Sequence, residues 1–185
     1  MSEFYDSLET RSAEQREQAL CQAIREQIAH AKEHSVAYKL LLKDFEPKYL
    51  LNVNDISKLP VTRKSELVEK QRLTPPFGGM EAVQNGRLTH IFASPGPIYE
   101  PGTARTDFAN FARALYAAGF RSGDLLHNCF SYHFTPAGAM VDSGAHALGC
   151  SVVPAGVGQT ELQAQTIADL RSEEHTSELQ SHLNL

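Results

Sequence analysis

The stretch that decides the fold is LTHIFASPGPIYEPG, which runs from Leu88 to Gly102. Its first part, Leu88–Ala93, is apolar and predicts a strand, whereas the Ser, Pro and Gly residues after it predict a loop. A helical pattern follows over residues 103–118. In α/β proteins, ligands bind where a strand breaks into such a loop, because backbone N–H groups and a helix N-terminus can face an anion there. The sequence therefore predicts a ligand site at this loop.

The order of strand then helix recurs twice more after this loop. Further strands are predicted at 124–130 and 150–154, with helices at 136–148 and from Thr160 to Leu170. The helix at 103–118 has one apolar face and ends at Gly119; that face consists of Phe108, Phe111, Ala112 and Leu115. Three strand–helix units predict parallel strands joined by right-handed crossovers. We expect an α/β fold with an incomplete, three-stranded parallel sheet.

The first half of the chain predicts helices and no strand. A capping box at Ser12–Gln15 begins a helix whose apolar residues recur every three or four positions; these are Leu20, Ile24, Ile28 and Ala31. We therefore expect a helical N-terminal layer at 1–87, a partial α/β subdomain at 88–170 and a separate tail at 171–185.

The tail is predicted to be foreign to the protein. Its run RSEEHTSELQS, from Arg171 to Ser181, is identical to the translation of a common short-read sequencing adapter. The alternative is an ordinary polar helix that buries Leu179. On the adapter hypothesis the chain proper ends at Leu170 and is the N-terminal fragment of a longer protein, and residues 171–185 should pack against nothing specific.

Charge and composition narrow the class of protein. The formal net charge is −5, and it becomes −3 without the one Arg and three Glu of the tail, so nothing points to nucleic acid or an anionic membrane as a partner. No apolar run approaches the ~20 residues that span a bilayer. The acidic N-terminus lacks the pattern of a signal peptide, so we expect a cytoplasmic protein. Cys21, Cys129 and Cys150 lack metal-ligand spacing and are expected to be reduced thiols.

Four motifs lie in order along the chain: VTRKSEL at Val61–Leu67, PPFGG at Pro75–Gly79, ALYAAGFRSGD at Ala114–Asp124 and GQTELQ at Gly158–Gln163. Together they resemble phenylacetate–CoA ligases, the aryl-acid branch of the AMP-forming acyl-CoA synthetases, an adenylate-forming superfamily. The resemblance runs from about Tyr5 to Leu170.

The resemblance implies a two-step reaction on a small carboxylic acid, with phenylacetate as an example. The carboxylate attacks the α-phosphate of ATP to give an acyl-adenylate, Mg²⁺ stabilises the phosphates, and the CoA thiol displaces AMP. ATP, Mg²⁺ and CoA are thus the implied cofactors of the parent protein, and a homodimer is left open. We expect the fragment itself to be inactive, because the adenine-binding segment, the ribose-binding acid and the catalytic Lys of the family would follow Leu170. The alternatives are a non-catalytic homologue that binds an acyl or aryl ligand, and a scaffold without a small-molecule site.

The loop after the first strand matches the family's phosphate-binding loop only in part. The positions that keep its pattern are Ser94, Gly96 and Pro101. Pro95 and Pro97 remove two backbone donors, and Glu100 places a negative charge where the family has Lys. The loop therefore either contacts ATP or is a stiff rim of the pocket.

Two further segments are predicted to contribute to the site, and no catalytic residue or metal ligand is assigned. Phe130–Pro136 resembles the family segment whose aromatic residues wall the acyl pocket; its candidates are Tyr132, His133 and Phe134. Alternation along an extended segment would put Tyr132 and Phe134 on one side and His133 on the other; the alternative is ordinary core. After the third strand, Gly158, Thr160 and Glu161 are predicted to contact ligand or the remainder of the protein, unless Thr160 is only a helix cap.

Overall fold

In the computed structural model, residues 3–83, 85–94 and 97–170 are described, and they form two compact units. The first unit holds residues 3–83, 85–88 and 97–101. The second holds residues 89–94 and 102–170. Gly96 and the predicted foreign tail at 171–185 lie outside the described residues.

Residues 3–83 and 85–88 of the first unit form helices and connecting segments, with no strand among these described residues. Its α-helices are α1 (Ala13–His34), α2 (Val36–Leu41) and α3 (Lys64–Leu73). Short 3₁₀ helices connect them, at Ser7–Thr10, Pro47–Tyr49, Val53–Lys58 and Asn85–Arg87. The capping box is confirmed at the start of α1, where the Gln15 N–H donates to Ser12 Oγ at 3.1 Å and the Ser12 N–H donates to Gln15 Oε1 at 2.9 Å.

The core of the first unit lies against one face of α1. Its buried residues are Cys21, Ile28, Leu42 and Leu50. Arg25, also on α1, donates from Nη1 to the carbonyl of Leu50 at 2.9 Å. The helix thus holds the following segment by burial and by a hydrogen bond.

Strands begin at residue 90, and the α/β class is confirmed. The elements in order are β1 (His90–Ser94), β2 (Ile98–Gly102), α4 (Phe111–Ala117), β3 (Leu125–His127), α5 (Ala137–Leu148), β4 (Ser151–Val153) and α6 (Thr160–Leu170). β3 and β4 are parallel, with Leu125 opposite Ser151 and His127 opposite Val153. α5 connects them, as predicted for a strand–helix–strand unit.

The first strand is succeeded by a second strand, where the sequence predicted a loop and a helix. β1 leads into β2, and the two form a two-stranded sheet. Ile98 and Gly102 are buried whereas Tyr99 and Pro101 are exposed, and this period of two is typical of a strand. The Pro and Gly content of the segment concealed that alternation. Among the described residues, β3 and β4 are the parallel pair.

The helix predicted at 103–118 begins later, at Phe111. Asp107 and Asn110 have φ angles of 49° and 55°, which a continuous right-handed helix does not allow. Asp107 instead caps α4, because its Oδ1 accepts from the N–H of Phe111 at 2.6 Å. Gly119 ends the helix as predicted, with φ at 107°.

The second unit has its own apolar core between the β3–β4 pair and the helices α4 and α5. Its buried residues are Leu115, Phe120, Leu126, Val141, Ala145 and Cys150. This packing fixes α5 against the strands whose carboxyl ends carry two of the predicted site segments. Within the described ranges, no helix has the length and apolar character that a membrane span requires.

Candidate functional site

The carboxyl ends of β3 and β4 lie side by side in the second unit. The N–H of Asn128 donates to the carbonyl of Val153, and the N–H of Gly156 donates to the carbonyl of Asn128, both at 2.9 Å. These bonds continue the pairing beyond the strands. Open α/β sheets bind ligands at this edge, and the segments after both strands therefore stand where a site is expected.

Three side chains form a hydrogen-bonded group behind this edge, which we call the tyrosine cluster: Asn128, Tyr132 and Asp142. The hydroxyl of Tyr132 donates to Asp142 Oδ1 at 2.7 Å. Asn128 is 1% exposed, and its amide nitrogen lies 2.8 Å from Tyr132 Oη, 2.8 Å from Asp142 Oδ1 and 3.0 Å from the Gly138 carbonyl. The amide has two hydrogens for these three acceptors, so they are shared. The cluster links the segment after β3 to α5.

The ring of Tyr132 lies in a slot between two glycines. A Cβ atom at Gly138, in the first turn of α5, would stand 2.7 Å from Tyr132 Cδ1. A Cβ atom at Gly156, after β4, would stand 3.6 Å from Tyr132 Cδ2, which is ordinary van der Waals contact. The close approach on the α5 side therefore requires glycine at 138.

The surroundings of Tyr132 keep its hydroxyl protonated. Burial raises the pKa of Tyr132 above its ordinary value, and the hydrogen bond to Asp142 and the charge of that carboxylate raise it further. Ionisation would put a second negative charge beside Asp142. The hydroxyl thus acts as a hydrogen-bond donor to the carboxylate.

Phe134 is presented outward by a strained backbone. Its φ angle is 59°, a left-handed value that is unfavourable for a bulky residue, and the residue is 80% exposed. Its carbonyl accepts from the N–H of Ala93 at 2.8 Å, so the end of β1 and the segment after β3 are held together. The predicted alternation along this segment is wrong, because the chain bends here: Tyr132 is half-buried, and both His133 and Phe134 are exposed.

A glutamine at the start of α6 fixes the loop after β4. Gln163 donates from Nε2 to the carbonyls of Gly156, at 3.0 Å, and Gly158, and its Oε1 accepts from the Cys129 thiol at 3.1 Å. The pKa of that thiol is raised by burial. Gln163 thus joins the segments after β3 and β4, whereas the predicted contacts Gly158, Thr160 and Glu161 are exposed.

The predicted phosphate loop is described in part. Ser94 is the half-buried last residue of β1, and Pro101 is exposed in β2. In the first unit, the side-chain amide of Gln71 donates to the Tyr99 carbonyl and accepts from the Tyr99 N–H, both at 2.8 Å. Among the described residues of this loop, Pro97 has no backbone N–H to donate, and Glu100 carries a negative charge.

Neither a metal-binding group nor a groove in the first unit involves the predicted site residues that the structure describes. In the described ranges, no three His, Cys, Asp or Glu side chains group as metal ligands would. A groove of about 290 Å³ lies in the first unit, and it contains none of the predicted site residues. Its lining consists of Glu14, Glu17, Gln18, Cys21, Arg25 and Leu51.

Sequence reasoning missed the residues that hold the site segments in place. These are Gln71, Asn128, Asp142 and Gln163. Asn128 had a detectable signal, since a polar residue directly after an apolar strand at a ligand-binding edge is a candidate for a buried network. His127, the last residue of β3, is buried, and neither ring nitrogen has a partner among the described residues.

Comparison with known proteins identifies relatives of one kind. No protein-family model matches the chain. A phenylacetate-coenzyme A ligase of Thermus thermophilus is 34% identical over 155 residues, which cover 79% of this chain and 34% of that protein. The enzyme of the same name from Pseudomonas putida is 31% identical over 175 residues, covering 90% of this chain and 39% of the relative. The chain thus spans little more than a third of the length of these curated relatives.

The solved structures that match the chain include another CoA ligase. A 2-hydroxyisobutyryl-CoA ligase in the postadenylation state, in complex with R3-HIB-AMP, matches with a TM-score of 0.77 and 25% identity, over 87% of this chain and 35% of that one. An open conformation of that ligase with 2-HIB-AMP and CoA matches with a TM-score of 0.76 and 26% identity, over 87% and 39% of the two chains. The chain therefore belongs to the adenylate-forming superfamily, and within it resembles the phenylacetate-coenzyme A ligases.

Proposed function

We propose that the protein containing this chain is an ATP-dependent, AMP-forming carboxylate–CoA ligase that acts on an aromatic acid such as phenylacetate. The second unit would supply the wall of the acid site. ATP, Mg²⁺ and CoA are proposed as its cofactors, because relatives named as ligases of this type match the chain and two matching structures hold an acyl-AMP. CoA is also present in one of these.

The observation that carries the proposal is the position of Phe134. Phe134 lies in the segment that follows β3, its ring is exposed, and its carbonyl accepts from the N–H of Ala93, next to Ser94. The left-handed φ of Phe134 is an unfavourable backbone of the kind that clusters at ligand-binding sites. An aryl acid is a suitable ligand for its ring, because stacking on the ring would remove apolar surface of both groups from water.

In this proposal the residues of the chain bind and orient the acid. Phe134 would contact the aryl group, His133 would stand at the edge of the site, and Gly158, Thr160 and Glu161 would border it from the loop after β4. Holding the acid in one orientation lowers the entropy lost on reaching the transition state. Because the described part of the β1–β2 loop does not fit phosphate, no phosphoryl step is assigned to its residues.

The test is an assay of the full-length protein with a panel of acids. Phenylacetate, hexanoate and 2-hydroxyisobutyrate are each supplied with ATP, Mg²⁺ and CoA, and both pyrophosphate and the CoA thioester are measured. We expect thioester from phenylacetate with the highest kcat/KM. A reaction without CoA should still release pyrophosphate, as the two-step sequence requires. A preference for 2-hydroxyisobutyrate would contradict the aryl-acid assignment.

A second candidate function is a non-catalytic homologue that binds an acyl or aryl ligand. The loop after β1 favours it, because Pro97 and Glu100 stand where a phosphate site needs donors and positive charge. Calorimetry separates the two functions. Binding of phenylacetate together with no detectable ATP binding and no thioester from any acid would establish the non-catalytic role.

A further inference from the structure

We infer that Tyr132 is a positioning residue, which holds residues 131–135 in the conformation that presents the Phe134 ring. Tyr132 acts through Phe134 and need not touch the ligand itself. The part of the inference that concerns acid affinity rests on the proposed function. The part that concerns the backbone of residues 131–135 does not.

The contacts of Tyr132 explain how it can hold the segment. Its ring fills the slot between Gly138 and Gly156, and its hydroxyl is bonded to Asn128 and Asp142. These partners belong to three different parts of the second unit: the end of β3, α5 and the loop after β4. A side chain fixed on three sides leaves its own backbone little freedom.

The backbone around Tyr132 is tied at both ends of the segment. The carbonyl of Ser131 accepts from the N–H of Gly138 at 3.0 Å, and the carbonyl of Phe134 accepts from the N–H of Ala93 at 2.8 Å. Between these ties lies the unfavourable φ of Phe134. Such a backbone persists only where its surroundings enforce it. Two local bonds contribute: the His133 N–H donates to Ser131 Oγ at 3.2 Å, and the Thr135 hydroxyl donates to the Ser131 carbonyl at 3.3 Å. Tyr132 adds the side-chain contacts that join this segment to β3, α5 and the loop after β4.

The raised pKa of Tyr132 agrees with this role. A hydroxyl that stays protonated can keep donating to Asp142 over the working pH range. A bond to a carboxylate is stronger than one between neutral groups, so the anchor on α5 is a firm one.

Hydrogen exchange on the 185-residue chain tests the inference without any ligand. Tyr132→Phe removes the hydroxyl and keeps the ring. We expect the Ala93 and Gly138 amides to exchange about tenfold faster, because the loss of the hydroxyl's bonds lowers the free energy of local opening. The matched control is Tyr49→Phe, which removes an exposed hydroxyl in the first unit. Unchanged exchange at both amides in Tyr132→Phe would overturn the inference.

A second variant perturbs the Tyr132 ring through its contact with α5. Gly138→Ala would place a methyl group against the Tyr132 ring and displace it, and its control, Gly86→Ala, adds a methyl group that meets nothing within 4 Å. We expect faster exchange at Ala93 in Gly138→Ala alone. The double variant Gly138→Ala/Tyr132→Phe should exchange little faster than the faster single variant, since a displaced ring has already lost the bonds of its hydroxyl. Fully additive effects would contradict a shared role.

Kinetics of the full-length protein then test the link to the acid. Tyr132→Phe should raise KM for phenylacetate about tenfold and leave both kcat and KM for ATP within about twofold. A purely structural role would lower the active fraction, hence kcat, at unchanged KM. If no acid gives thioester, the proposed function fails, while the exchange experiments still decide whether Tyr132 holds the segment.

Discussion

The segments after β1 and after β3 both follow strands at a predicted ligand edge, but they are held in different ways. The segment after β3 is fixed from within by the tyrosine cluster, in which Asn128 is fully buried. The segment after β1 carries two prolines and is held further along, where Gln71 pairs with the backbone of Tyr99. The segment after β3 is fixed by buried hydrogen bonds, and the described part of the segment after β1 is held by the side chain of Gln71.

This difference shows that position and chemistry are separate properties of a site. Both segments stand where the sequence predicted a ligand, but of the two strands it is β3 that belongs to the described parallel pair, whose carboxyl edge favours ligand binding. Among the described residues of the two segments, those after β3 combine an exposed aromatic side chain with a buried network, and those after β1 do not. The acid site is therefore better supported by the residues of this chain than the phosphate site.

The largest loss of stability is expected from Asn128→Leu, which removes the hydrogen bonds that hold the segment after β3. The change removes the amide donor shared by Tyr132, Asp142 and the Gly138 carbonyl. It also removes the oxygen that accepts from the N–H of Phe130, while Tyr132 and Asp142 keep the bond to each other. We expect the free energy of unfolding to fall by about 3 kcal/mol in urea titrations. Asn54→Leu, at an exposed position of the first unit, is the control and should change it by less than about 0.5 kcal/mol.

An equal loss in the two asparagine variants would mean that the cluster does not stabilise its segment. The segment after β3 would then be no better fixed than the segment after β1.

The next effect separates ligand contact from folding at Phe134. Phe134→Ala and Phe134→Gly both remove the ring and should weaken phenylacetate binding by about 1–3 kcal/mol, measured by calorimetry on the full-length protein. ATP binding should stay the same. Glycine accepts the φ of 59°, so the free energy of unfolding of the Gly variant should exceed that of the Ala variant by about 1 kcal/mol. Equal losses for acid and ATP would identify Phe134 as part of the fold instead of the site.

A smaller effect, on the stability that the Tyr132 hydroxyl contributes, is expected at alkaline pH. The folded protein raises the pKa of Tyr132, so the stability that its protonated hydroxyl contributes is complete below the ordinary tyrosine value of about 10 and is lost as pH rises through the folded value. The charged or titratable groups that influence it are Asp142 and Cys129. In urea titrations, the stability gap between the wild type and Tyr132→Phe should therefore narrow above about pH 10. A constant gap from pH 8 to 11 would contradict the shifted pKa.

The smallest effect concerns the segment after β1. Glu100→Lys replaces a repelling charge by an attracting one, and ATP affinity should rise by less than about tenfold, because solvent screens a partly exposed charge. Glu17→Lys on α1 makes the same charge change in another place and should leave the affinity unchanged. ATP binding that is undetectable before and after the Glu100 change would favour the non-catalytic function.

Patterns with a local cause were predictable from the sequence. The capping box at Ser12, the stop at Gly119 and the strands that became β3 and β4 each depend on residues within a few positions. β2 was missed because Pro101 and Gly102 are typical of loops, although the burial of Ile98 and Gly102 alternates as in a strand. The start of α4 was missed because the carboxylate of Asp107 caps a helix four residues further on.

The site was less predictable, because its contacts join residues that are distant in the sequence. Asp142 meets Tyr132 across ten positions, and Gln163 meets Cys129 across 34. No local pattern contains such pairs. The direction of Phe134 was missed for a related reason, since alternation assumes an extended chain and the segment bends at that residue.

The contact between Gly138 and Tyr132 has a consequence for evolution. Because a methyl group at 138 would overlap the ring, these two positions cannot drift independently. A lineage that acquires a side chain at 138 must also shrink residue 132, or accept a displaced ring, and the order of the two steps matters. Substitution at 132 first would open a space that 138 can later fill, whereas the reverse order passes through an overpacked intermediate. Homologues should therefore have either a large residue at 132 with Gly at 138, or a small one with a side chain opposite it.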